Sequence, residues 1–145
     1  MIEHISNDNT HLAIIIRNEF SQDGIEFFTS DKHPLQLGYM KREKNFVIAP
    51  HTHNNFERKI NATHEVLFIK SGKIRIDFYT SEKEYLKSTI ANSGDVILLA
   101  DGGHGFKMLE ESEIIEVKQG PYVGELDKER FDSVDDCDIN EINGI

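Results

Sequence analysis

The sequence predicts an all-β protein, built as a single-domain antiparallel sandwich or barrel. Runs of five to eight residues rich in β-branched and aromatic side chains recur along the chain, with Gly, Asn, Asp or Ser between them. No long segment keeps a helical period, which argues against alternating strand and helix architectures. Short strands at this spacing are typical of antiparallel sandwiches and barrels. The 145 residues are enough for one domain with a core and too few for two ordinary ones.

The strands are predicted in order from their apolar runs and the turns between them. They fall at residues 11–19, 25–29, 35–41, 45–53, 65–70, 74–80, 85–90, 96–100, 104–109 and 113–118. The clearest hairpin spans residues 65–80, because its second arm alternates apolar and polar side chains around a turn at Gly72. Pro50 has no backbone donor, so the strand at 45–53 is expected to end there or to lie at an edge.

The ends of the chain carry a separate prediction. Residues 132–145 are acidic and poor in large apolar groups, so we expect a mobile, disordered tail after a folded domain at residues 1–131. The first residues lack the basic and apolar regions of a signal peptide. Cys137 is the single cysteine, which excludes an intrachain disulfide and favours a cytoplasmic setting.

Charge and hydropathy limit the class of partner. The formal net charge of −10 argues against nucleic acid or an anionic membrane surface, because both require a basic patch. The apolar runs are also far too short to cross a bilayer. We therefore expect a small-molecule ligand rather than nucleic acid or membrane.

Histidines and carboxylates near the centre of the chain predict a metal site. His51 and His53 are separated by one residue, which places both imidazoles on one face of an extended strand. Glu65 opens the next apolar run, and a distant third histidine could complete the set. Such nitrogen and oxygen donors suit a divalent transition metal.

Two stretches resemble the motifs of the cupin superfamily. His51-x-His53 with E-V-L-F-I-K-S-G at residues 65–72 is similar to the first motif, and G-D-V-I-L-L-A-D-G-G-H at residues 94–104 to the second. Eleven residues rather than three or four separate His53 from Glu65, and Ala100 stands where the family usually has Pro. The resemblance covers roughly residues 35 to 120 and implies a small jelly-roll barrel.

The cupin resemblance also implies a ligand set and a cofactor. The implied ligands are His51, His53, Glu65 and His104, holding Fe, Mn, Ni, Zn or Co. Glu57 is the alternative carboxylate, because it satisfies a literal H-x-H-x-x-x-E spacing. Glu65 is preferred because it opens the strand that leads to the glycine turn. The loop between His53 and Glu65 is then an insertion at the mouth of the barrel.

Several residues are candidates for contacting a substrate. They are Glu57 and Arg58 in the inserted loop, Gln119 at the end of the last strand, and Tyr122 after it. Polar groups among apolar ones in the strand that ends at Gln119 suggest a polar-lined cavity for a carbohydrate or another hydroxylated ligand. The alternative for the loop residues is a solvated ion pair, and for Gln119 a strand end in solvent.

The function expected from these features is a metal-dependent enzyme acting on a small polar substrate. By analogy with small cupins of polysaccharide pathways, the substrate would be a sugar or sugar derivative and the reaction an isomerisation. An Fe(II) dioxygenase and a non-catalytic sugar- or metabolite-binding module are the alternatives. No catalytic residue is assigned. Strand 65–70 has apolar residues on both faces, which fits the homodimer that is common among cupins of this size.

Overall fold

The computed structural model confirms the all-β class. It describes residues 1–139 and the backbone of residues 142–143. In these residues the regular structure is strands and two single-turn 3-10 helices, with no α-helix. No helix in the same residues is long and apolar enough to cross a membrane. The strands are β1 (Ile2–Asn7), β2 (Thr10–Ile16), β3 (Gly24–Phe27), β4 (Gly38–Lys41), β5 (Glu65–Ser71), β6 (Lys73–Tyr79), β7 (Tyr85–Asn92), β8 (Val96–Leu99), β9 (Gly103–Met108), β10 (Glu113–Lys118) and β11 (Ile142–Asn143).

The chain divides into two compact units. The first, here called the sheet unit, consists of Met1–Glu19 and Ala62–Ile145, and the second, here called the loop unit, is Phe20–Asn61. The expectation that residues 1–131 form one domain stays a prediction.

Two sheets make up the sheet unit. The five-stranded sheet has the order β1-β2-β8-β5-β10, and the four-stranded sheet has the order β11-β7-β6-β9. All pairings are antiparallel except the parallel pairing of β11 with β7. The described pairings do not close into a barrel, so the jelly roll stays a prediction.

One apolar core joins the inner faces of both sheets. Strand alternation puts every second side chain on the inner face, where it is removed from water. The buried cluster therefore draws on six strands, β1, β2, β5, β6, β7 and β8. Its members are Ile5, Leu12, Ala13, Ile15, Leu67, Ile69, Ile74, Ile76, Phe78, Ala91, Ile97 and Leu99.

The turn between β5 and β6 carries the chain from one sheet to the other. Gly72 occupies it with a φ of 85°, a left-handed conformation that glycine adopts without steric cost. A Cβ at this position would lie 2.3 Å from the carbonyl oxygen of Glu111, so the close approach of the next turn also requires glycine.

A buried ion network fastens β1 and β2 to β7 and to the turn before β8. Arg17 is only 6% exposed and donates to Asp95 at 2.9 Å and to Glu3 at 2.5 Å. Asp95 also accepts hydrogen bonds from the backbone amides of Asn18 and Asn92. Each charged group thus has its partners, which is the condition under which buried charges are tolerated.

The loop unit contains one short antiparallel pair, β3 with β4. Phe20 packs edge-on against Phe28 and Tyr39, with ring centroids 5.6 and 5.0 Å apart. The strand predicted at residues 45–53 is wrong, because this segment has no strand structure and its apolar residues are exposed. Asn45 has a φ of 69°, and Pro50 offers no amide to a neighbouring strand.

The C-terminal segment (residues 127–136) follows the outer face of the four-stranded sheet. Phe131 packs against Tyr79 with ring centroids 5.0 Å apart, and the backbone amide of Val134 donates to the Tyr79 hydroxyl at 3.0 Å. Asp136 accepts from Arg75 at 2.7 Å and pairs with Lys107. The mobility predicted for residues 132–145 stays a prediction, and residues 140, 141, 144 and 145 lie outside the described part.

Candidate functional site

Glu65 and His104 meet where the two sheets approach each other. Glu65 is the first residue of β5 and His104 the second residue of β9, so each sheet contributes one partner. Glu65 shares the inward face of β5 with Leu67, which explains why its carboxylate is buried. His104 Nε2 lies 3.2 Å from Glu65 Oε2. Two of the four predicted ligands are therefore in direct contact.

The charge of Glu65 is stabilised by its surroundings. The hydrogen bond from His104 holds the pKa of Glu65 below its usual value, and burial opposes this by raising it. The positive charges of Lys118 and Lys128 lower the pKa further. Glu65 is therefore a carboxylate at neutral pH, ready to accept a proton or a hydrogen bond.

Two glycines allow β9 to bring His104 to this position. Gly102 has a φ of 68°, and a Cβ there would lie 2.5 Å from the carbonyl oxygen of Tyr79. A Cβ on Gly103 would lie 2.9 Å from the ring of Phe131. The G-G pair before His104 is thus required for the close passage of β9 along Tyr79 and the C-terminal segment.

A cavity of about 630 Å³ opens beside the pair. Tyr79, Phe106 and Phe131 give it an aromatic lining, and residues 127–131 and 133 of the C-terminal segment line it as well. Hydroxyl groups of Thr63, Ser81 and Ser133 also line it. Its size and its mixture of aromatic and polar groups match small-molecule sites.

His51 and His53 lie together in the loop unit, but on irregular chain. Their ring centroids are 5.3 Å apart, and His51 Nδ1 lies 3.0 Å from the carbonyl oxygen of Ala49. Both side chains are exposed. The argument from strand alternation that placed them on one face is wrong, since residues 45–53 do not form a strand.

The structure does not assemble the predicted metal centre within its described residues. No group of three or more His, Cys, Asp or Glu side chains there is arranged to hold a metal ion. Protein sites for transition metals usually supply at least three such ligands. Glu65 and His104 belong to the sheet unit and His51 and His53 to the loop unit, so the four-ligand centre stays a prediction.

The candidate substrate residues fall in two places. Glu57 and Arg58 line a second cavity, of about 720 Å³, in the loop unit. The Gln119 amide side chain donates to the carbonyl oxygen of Gly120 at 3.3 Å, and Tyr122 lies exposed beside the ammonium group of Lys118. Neither Gln119 nor Tyr122 lines the cavity beside Glu65.

Sequence reasoning missed two residues of the site, Tyr79 and Lys128, which line the cavity. His64 directly precedes Glu65 and is buried, but it does not line this cavity. Tyr79 ends the alternating run of β6 and could have been placed on its outer face from the sequence alone. The contribution of Lys128 depends on where the C-terminal segment lies, which no local pattern indicates.

Comparisons with known proteins do not assign the chain to a family. No protein-family model matches the chain, and neither a curated protein nor a solved structure is significantly similar to it. The fold and site therefore define the class only as an all-β protein with a Glu–His pair at a cavity.

Proposed function

We propose that this chain is a cupin-type jelly-roll enzyme that moves a proton on a small hydroxylated molecule, such as a sugar derivative. The observation that carries the proposal is the contact between Glu65 and His104 beside the cavity. A carboxylate and an imidazole in contact are a common arrangement for general acid–base catalysis. The reaction class is isomerisation or epimerisation, in which one carbon loses a proton and the same or a neighbouring carbon regains it.

The two side chains have distinct roles in this mechanism. Glu65 is held as an anion and removes the proton from the carbon next to a substrate carbonyl. His104 orients the carboxylate and donates a proton to the carbonyl oxygen, which gives an enediol. Glu65 then delivers its proton to the neighbouring carbon, while the hydroxyl on the other enediol carbon returns a proton to His104 and becomes the new carbonyl. Both groups are thereby restored.

The cavity lining supports a hydroxylated ligand. The hydroxyls of Thr63, Ser81 and Ser133 can exchange hydrogen bonds with the hydroxyl groups of a sugar. Phe106, which is 39% exposed, provides a flat apolar surface on which the C–H face of a sugar ring can pack.

Deuterium exchange in heavy water tests the proposal directly. The protein is incubated in D₂O with a panel of aldoses, ketoses and their phosphates, and proton NMR follows the loss of the carbon-bound proton. We expect exchange with at least one sugar, and a loss of at least a hundredfold in Glu65→Gln and His104→Gln. His4→Gln is the matched control, because His4 is an exposed histidine on β1.

The outcomes of this experiment separate the function classes. Exchange that survives in Glu65→Gln would refute the role of the pair. Binding without exchange, seen as shifts of the His104 resonances, would identify a non-catalytic binding module. Absence of both binding and exchange across the panel would remove the sugar proposal.

The metal centre and its Fe(II) dioxygenase alternative need their own measurement. Elemental analysis of protein purified without added metal would find near-stoichiometric Fe, Mn, Ni, Zn or Co if the four predicted ligands act together. In that case His51→Ala and His104→Ala should each abolish uptake. Uptake that persists in both variants would show that the metal lies elsewhere.

A further inference from the structure

One edge of the five-stranded sheet has no neighbouring strand in the described residues. β10 is the last strand in the order and pairs there with β5 alone. An unpaired edge offers a row of backbone donors and acceptors to another strand. β10 contains no proline and, apart from the shift at its first residues, its register with β5 is regular. From Ile114 to Lys118, therefore, neither proline nor a bulge interrupts the backbone of this edge.

The pairing with β5 determines which groups of β10 point outward. The amide of Gln119, the residue after β10, donates to the carbonyl oxygen of His64 at 2.9 Å, so it points toward the chain of β5. In an antiparallel strand the direction alternates from residue to residue. The backbone groups of Glu116 and Lys118 therefore point away from β5 and are available to another strand.

The outer face next to this edge is apolar and exposed. Phe68 is 42% exposed, Ile115 55% and Val117 54%. Ile115 stands opposite Phe68 in the register, and Val117 opposite Val66. These residues form a continuous apolar patch that reaches the open edge, and such patches commonly mark protein interfaces.

We propose that β10 pairs with β10 of a second copy of this chain, antiparallel and centred on Val117. In this register Glu116 stands opposite the partner's Lys118, and Lys118 opposite the partner's Glu116. The outward backbone groups of both residues form the connecting hydrogen bonds. The five-stranded sheets of the two copies become one continuous sheet. The Phe68, Ile115 and Val117 patches of both copies then meet on its outer face at the two-fold axis.

Charge complementarity identifies the second copy as the partner. Glu116 and Lys118 of β10 are an anion and a cation two residues apart, and a two-fold axis through Val117 brings each next to its opposite. A two-fold interface requires such a self-complementary surface. Shifting the axis to Glu116 would instead place two carboxylates opposite each other, so the charges also select the register.

Sedimentation velocity of the full chain over a range of concentrations tests the dimer. We expect a concentration-dependent dimer, and at least a tenfold weaker association in Val117→Lys, which places two ammonium groups at the axis. Val47→Lys is the matched control, because it also replaces an exposed valine, but in the loop unit, and should associate normally. A chain that stays monomeric at 100 µM, on the order of the concentrations at which weak homodimers are measured, would overturn the proposal. An unchanged dimer in Val117→Lys would do the same.

A charge exchange tests the register. Glu116→Lys and Lys118→Glu should each weaken association at least tenfold, because like charges then face each other across the axis. An equimolar mixture of the two variants should recover association, since every Lys of one chain then faces a Glu of the other. The recovery separates the interface from the bond of Lys118 to Asp127 within the chain, which mixing cannot restore. Failure of the mixture to associate would refute this register.

Discussion

The two units of the molecule contain similar apolar residues, but the compared side chain is buried in one unit and exposed in the other. In the sheet unit Phe78 is 1% exposed, and every residue of β6 from Ile74 to Tyr79 is buried. In the loop unit Phe56 is 75% exposed, and Phe46, Val47 and Ile48 are exposed as well. A run of β-branched and aromatic residues is therefore not sufficient for a strand, which also requires a neighbouring strand to accept its hydrogen bonds.

The largest expected difference between the units lies in the aromatic side chains. Phe78→Ala should lower the free energy of unfolding by about 3 to 5 kcal/mol, because it opens a cavity between the two sheets. Phe56→Ala removes an exposed ring and should change the same quantity by less than about 0.5 kcal/mol. Urea denaturation followed by circular dichroism measures both. If both substitutions lowered the free energy of unfolding equally, Phe56 would be buried in solution and the difference between the two units would be refuted.

Ion pairs provide the second comparison. Arg17→Met should cost about 3 kcal/mol, because it leaves the buried carboxylate of Asp95 without its cation. Lys41 pairs with Asp23 at 2.9 Å in the loop unit, where both side chains are exposed, so Lys41→Met should have no measurable effect. Thermal unfolding of the two variants gives the comparison, and an undiminished melting temperature in Arg17→Met would contradict it.

The smallest expected effect concerns pH and the Glu65–His104 pair. The folded state holds the pKa of Glu65 below its ordinary value of 4.5, so it binds this proton less readily than the unfolded chain does. The resulting stabilisation is complete above about pH 4.5 and is lost as the pH falls through the lowered pKa. Glu65→Gln should therefore be less stable by about 1 kcal/mol at pH 7, and the difference should vanish in acid.

Urea midpoints of wild type and Glu65→Gln between pH 3 and 7 measure this effect. Glu57→Gln in the loop unit is the matched control and should show no such convergence. A gap between wild type and Glu65→Gln that widens toward low pH would contradict the direction given for Glu65.

The sequence was sufficient for the parts of the fold that are locally determined. The hairpin predicted at residues 65–80 agrees with β5 and β6 to within one or two residues, because alternation and Gly72 specify both arms and the turn. β1 was not predicted. It pairs with β2 through a turn at Asp8, whose φ of 50° is a conformation that Asp tolerates. The prediction of a strand at residues 45–53 was wrong because a strand requires a neighbouring strand, and no pattern within the segment indicates whether one is present.

The candidate site was partly predictable for a related reason. Glu65 was singled out because it opens a predicted strand, and His104 because its stretch resembles the second cupin motif; the structure brings the two together. The position of the C-terminal segment was not predictable, since Asp136 reaches Arg75 across 61 residues of chain. Composition marked this segment only as acidic, whereas its contacts depend on the charges of a sheet formed far earlier in the sequence.

The environment of Tyr79 offers a built-in optical probe. The chain contains four tyrosines and no tryptophan, so its near-ultraviolet emission comes from tyrosine alone. Tyr79 is almost fully buried, its hydroxyl accepts from the Val134 amide, and its ring touches both Phe131 and Tyr85. Ligand entry or release of residues 127–136 would change the polarity around this one phenol. Tyrosine fluorescence, with Tyr79→Phe as the blank, can therefore follow events at the cavity without any added label.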